Sequence, residues 1–175
     1  MHIQTHLLSG WIIGNALRLS PRERFLCMAA ATLPDLDGLG IVISQELYWD
    51  LHHKLGHNVF WFAFVAGVLA IFSEHRLRAG LAYFGLGWMH FGMDYLGSGP
   101  GWGLWPWWPA SDASVEWSNA WPFFSWQNIA AFCLVFTATL WIAWHLRRTP
   151  LEWPMPSLDR QLVVLVRRNR AARGD

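Results

Sequence analysis

The stretch Asn128–Leu146, NIAAFCLVFTATLWIAWHL, decides the fold. It holds no Asp, Glu, Lys or Arg, and as a helix rising 1.5 Å per residue it covers roughly the 30 Å hydrocarbon core of a bilayer. Working outward toward the N-terminus, AGLAYFGLGWMHFGMDYLG (Ala79–Gly97) and VFWFAFVAGVLAIFS (Val59–Ser73) read as two further apolar helices. Two shorter ones precede them. HLLSGWIIGNALRL (His6–Leu19) is the first. The second starts at SPRE, where Ser20 caps, Pro21 suits the first helical position and Glu23 closes a capping box. Each short helix covers roughly 20 Å, less than a full crossing.

The expected fold is therefore all-α: a polytopic membrane bundle of about five helices, with a Trp-rich interfacial loop before the last. Residues 1–148 form the membrane-embedded domain and residues 149–175 a basic amphipathic tail. Composition agrees. The 175 residues are 54% hydrophobic and 14% charged, against about a quarter charged in soluble domains. Cys27 and Cys133 sit in apolar runs without CxxC spacing, so no disulfide or zinc knuckle is expected. MHIQTHLLSG lacks the basic region of a secretory signal, so no cleavable leader is expected.

Charge placement predicts orientation. Every arginine lies in RLSPRER (Arg18–Arg24), in EHRLR (Glu74–Arg78) or beyond Leu146. If five passes alternate, all three regions share one side, and Lys54 is the one basic residue opposite. The positive-inside rule makes the arginine side cytoplasmic. The chain then spans the inner membrane N-out and C-in.

The opposite side collects histidine and aspartate. His6 opens the first helix, LPDLDG delivers Asp35 and Asp37 after the second, and DLHHKLGHNVFWF places His52, His53 and His57 before the third. His90 and Asp94, in HFGMD, project from one helical face at i,i+4 spacing. Each has an ordinary reading alone. A histidine near the N-terminus is usually a surface residue, Asp-x-Asp suits a turn, and His53 reads as an interfacial residue. Their convergence from separate elements on one side favours a metal site. Imidazole with carboxylate is the ligand set of zinc, manganese or iron. A charge near the bilayer centre costs about 2.5–3.5 kcal/mol on insertion scales, and a cation would offset the carboxylates' repulsion.

The loop GSGPGWGLWPWWPASDASVEWSNAWPFFSW is rich in Trp, as membrane interfaces are; a second reading has it roof the metal site and guide a lipid. In the tail, Leu158, Leu162, Leu165 and Val166 form a helical stripe that, with its arginines, suits an anionic leaflet. No Gly-rich phosphate loop, HExxH or GxSxG occurs. No nucleic-acid partner is expected.

Taken together, THLLSG (His6), LPDLDG (Asp35, Asp37), HHKLGHN (His52, His57), HFGMD (His90, Asp94) and GWGLWP (with Gly103 to Pro106) resemble, in order, the motifs of the membrane-bound metal-dependent hydrolases (YdjM-like). The resemblance covers roughly residues 5 to 110. Gly38, His53, Gly56 and Asn58 depart from that pattern, which often has His, Arg, Thr and Ser at those places, while the His and Asp positions are kept.

The resemblance implies a metal-dependent hydrolase bound to the membrane. The expected ligands of one or two divalent ions, Zn²⁺ first and Mn²⁺ second, are His6, Asp35, His57, His90 and Asp94. Asp37 is the expected base or the carboxylate that orients a ligating imidazole. His52 is the expected holder of the leaving group or a further ligand. The interface favours membrane lipids as partners and an amphiphilic or phosphoester substrate. The alternative is a non-enzymatic scaffold or partner-binding protein whose helix ends are tied by a structural metal clasp. Transport fits least, because VFWFAFVAGVLAIF and IAAFCLVFTATLWIAW carry no ionisable group.

Overall fold

The computed structural model describes residues 1–171, so the last residues of the expected basic tail lie outside the described ones. The described residues form seven α-helices and a 3₁₀ segment, with an isolated antiparallel bridge between Leu104 and Val115 as the sole β pairing among them. The helices are α1 (Ile3–Ala16), α2 (Pro21–Thr32), α3 (Gln45–Leu51), α4 (Val59–Ile71), α5 (Arg76–Gly97), α6 (Trp126–Leu146) and α7 (Pro156–Ala171).

Local chemistry sets the helix starts. At α2 the capping box is complete: Ser20 Oγ accepts from the Glu23 amide at 3.4 Å, and Glu23 Oε2 accepts from the Ser20 amide at 2.9 Å. Asn58 caps α4 by accepting from the Trp61 amide at 2.9 Å, and Ser125 caps α6 through the Asn128 amide. Pro34 lacks the amide an α-helix would use there. The chain accordingly tightens after Thr32 into the 3₁₀ segment Leu33–Val42.

That tightening changes the second helix. It does not stop at a dozen residues; α2 and the 3₁₀ segment run on as one apolar stretch, Pro21–Val42, long enough to cross a membrane. α6 is the other stretch among the described residues that meets the same length and composition. α4 is apolar but shorter. α5 has the length, but its glycines, His90 and Asp94 dilute its apolar character. The roughly five full or partial passes expected from the sequence resolve, by length and composition, into two candidate spans among the described residues.

α1 packs on α2 and α6, α2 on α5, and α4 on α5, while α3 folds back onto the 3₁₀ segment. Small residues permit the close approaches. A Cβ on Gly10 would lie 2.5 Å from the Cys27 carbonyl oxygen, and one on Gly87 would lie 2.6 Å from the Phe62 ring. At one end of the bundle the arginine-bearing segments are tied together. The buried Arg24 guanidinium makes two hydrogen bonds to Glu152, which also accepts from Trp11 Nε1 at 3.2 Å. Glu23 accepts from the Glu74 amide at 3.1 Å. The ends that carry histidine and aspartate meet at the opposite end.

Candidate metal centre

Four segments supply the centre: the first turns of α1, the 3₁₀ segment, the turn between α3 and α4, and the last turns of α5. His90 and Asp94 lie one turn apart on α5, with Nε2 of His90 2.8 Å from Asp94 Oδ2. His57 Nε2 approaches the same oxygen at 3.1 Å and His90 Nε2 at 3.0 Å. Asp35 Oδ1 stands 3.5 Å from His90 Nε2 and 3.9 Å from His57 Nε2. Asp35, His57, His90 and Asp94 each offer one ligand atom within 4.8 Å of all the others, and they could hold a metal ion. The two histidines and Asp94 are sealed from solvent, whereas the Asp35 side chain keeps 20% exposure.

The tautomers follow from the partners on the far side of each ring. His90 Nδ1 lies 2.7 Å from the Ala31 carbonyl oxygen, which can only accept, so Nδ1 carries the hydrogen. His57 Nδ1 donates to Asp37 Oδ2 at 2.9 Å. In the neutral rings both Nε2 atoms therefore present lone pairs to each other across 3.0 Å. That contact is repulsive unless a cation or proton lies between them. Two imidazole nitrogens each about 2.0–2.1 Å from one zinc ion would be roughly 3.3 Å apart at a tetrahedral angle, so the arrangement fits a small divalent cation.

Asp37 is saturated by three donors: His52 Nδ1 at 2.8 Å, His57 Nδ1 at 2.9 Å and the Gly56 amide at 2.9 Å. It stands behind the ligand ring and faces His57 from outside the cluster. His52 shares Asp37 and borders a cavity that Asp35 also borders. His6 lies outside the four mutually close ligands but touches them. Its Nε2 is 3.2 Å from Asp94 Oδ1, its ring stacks on His90 at 3.9 Å, and its buried Nδ1 has no partner.

His53 is buried within the protein. It is 3% exposed, with φ at +67°, and its ring sits 4.6 Å from His57 and 5.3 Å from Trp102. Burial holds its pKa well below the ordinary imidazole value. Burial also lowers the pKa of His57, but its hydrogen bonds to the Asp37 and Asp94 carboxylates outweigh that and leave it raised. The Trp-rich loop reaches this turn: the Trp105 amide donates to the His53 carbonyl and the Val59 amide to the Pro106 carbonyl. Trp102 and Tyr48, not among the candidate site residues expected from the sequence, border the same cavity as Asp35. GWGLWP was the available signal for Trp102; nothing local flagged Tyr48.

A helical membrane protein with a largely buried histidine and aspartate cluster at one end of its bundle is the class these features define. The chain belongs to the YdjM inner membrane protein family, whose model matches residues 1–166. Comparison with curated proteins and with solved structures gives no match.

Proposed function

We propose that the chain is a membrane-bound metal-dependent hydrolase acting at the outer interface of the inner membrane on an amphiphilic substrate, either a phosphoester or another lipid. The observation that supports this most is the 3.0 Å approach of the Nε2 atoms of His57 and His90 beside Asp94, with Asp35 bordering a cavity. His57, His90, Asp94 and Asp35 would hold the divalent cation, Zn²⁺ or Mn²⁺. His6 steadies Asp94 and supplies a further ligand. When bound, such an ion lowers the pKa of a coordinated water to about 7 and polarises the scissile ester.

Asp37 orients His57 and His52 through their Nδ1 hydrogens, as carboxylates behind ligating imidazoles do. His52, with Nδ1 committed to Asp37, is left with Nε2 for proton transfer to the leaving group. For topology we read N-out and C-in with the helices crossing or half-crossing in alternation, supported by the arginine-bearing segments meeting at one end of the bundle.

A structural clasp is the second reading, favoured by the near-complete burial of His57, His90 and Asp94. A closed site suits structure, while a catalytic one keeps an open position, and the exposure of Asp35 favours catalysis. Metal-loaded protein assayed on soluble and lipid phosphoesters separates the two. Turnover that is lost in Asp35→Ala supports the hydrolase; full occupancy with no turnover on either class supports the clasp.

A further inference from the structure

The centre opens past Asp35 into two overlapping cavities of about 210 Å³ and about 450 Å³. Asp35, Tyr48, His52 and Phe123 border both, so the two are one cleft. The larger alone falls within the roughly 300–1,000 Å³ of small-molecule sites.

The ends of the cleft differ in chemistry. Asp35, Asp94, His53 and Ser98 border the inner part. Ile3 and Phe124 border the outer part beside His2 and Gln4, and the two apolar side chains are 51% and 84% exposed. Phe124 stands just before α6, which is long and apolar enough to cross a membrane, and exposed Trp126 and Ile129 continue the apolar surface along that helix. The start of such a helix marks the interface depth, where aromatic side chains gather. The cleft therefore runs from a carboxylate and imidazole cluster to a rim where Ile3, Phe123 and Phe124 form an apolar side next to His2 and Gln4.

We propose that the outer cleft is an acyl-chain site. An amphiphile binds with an anionic headgroup at the cation centre and its chain between the first turn of α1, at Ile3, and Phe123–Phe124, leaving along the exposed flank of α6. The fate of the headgroup rests on the hydrolase reading; the seating of the chain does not.

The test is photolabelling of the full chain, metal-loaded in detergent, with an alkyl phosphate carrying a diazirine near its chain end. Butyl to octyl phosphates and inorganic phosphate serve as competitors, and labelled residues are mapped by mass spectrometry. The expected label falls on Ile3, Phe123 and Phe124, and competition strengthens about fourfold per added methylene until the cleft is filled. Label spread over α4, or butyl and octyl phosphate competing equally, overturns the proposal, whereas label running on to Trp126 and Ile129 at the start of α6 agrees with it. Hydrolysis of octyl and methyl p-nitrophenyl phosphates is measured alongside. A labelled cleft without turnover of either ester keeps the chain site and removes the hydrolase. Turnover of the methyl ester without chain labelling removes the chain site and keeps the hydrolase.

Discussion

Asp37 and His57 are joined by a 2.9 Å hydrogen bond from Nδ1 to Oδ2, and that bond decides which nitrogen of His57 faces the cluster. Because Asp37 also accepts from His52 and the Gly56 amide, one buried carboxylate sets the register of the whole HHKLGHN turn. Asp37→Asn keeps the shape but exchanges an acceptor for an amide. Metal affinity, measured by chelator competition, is expected to fall about 10–100-fold, with the helical circular dichroism unchanged. Unaltered affinity would remove Asp37 from the ligand-orienting role.

Protons and metal compete for His57. In the metal-free protein its pKa is raised above 6.5, so its charged form is favoured there. The stability this contributes is fully present below the unfolded value and is lost as pH rises through the raised folded value. Metal needs the neutral ring, so its apparent affinity rises with pH across the same window and binding releases protons. Thermal melts across that window should show metal-free protein weakening while metal-loaded protein gains.

Gly56 is pressed against the 3₁₀ segment. A Cβ there would lie 2.0 Å from the Pro34 carbonyl oxygen and 3.1 Å from Asp37 Oδ2. Gly56→Thr is expected to destabilise by about 1–3 kcal/mol through overpacking and to weaken metal binding. Melting temperature and chelator competition both read the effect.

At the far end, Arg24 and Glu152 form a nearly buried pair, 4% and 10% exposed. Arg24→Met leaves Glu152 without its partner and is expected to cost about 3–5 kcal/mol. Metal content of the folded fraction should not change, since Arg24 lies about two turns of α2 before Ala31, whose carbonyl meets His90.

Much of this was legible in the sequence where a short-range rule governs. The capping box at Ser20 and Glu23 and the shared face of His90 and Asp94 depend only on local spacing. The arginine bias foreshadowed the meeting of Arg24, Glu152 and the α4–α5 turn at one end. What the sequence hid depends on contacts between distant segments. Pro34 reads as a helix stop, yet the chain goes on as a 3₁₀ segment, so the second span appeared too short. The short α3 was not foreseen, because it is held by Ser44 and by packing on the 3₁₀ segment. His53 reads as an interfacial residue because its burial comes from a turn at positive φ and from Trp102, about fifty positions along the chain. His6 ends beside Asp94 rather than among the four closest ligands, a distinction no motif carries.

The central claim is that a divalent cation sits between His57, His90, Asp94 and Asp35. Elemental mass spectrometry of the detergent-purified chain, wild type beside His90→Ala/Asp94→Ala, tests it most directly. The account predicts about one or two equivalents of zinc or manganese per chain, lost in the double variant while it remains helical. Wild-type protein that is folded, metal-free and cannot be reloaded would contradict it.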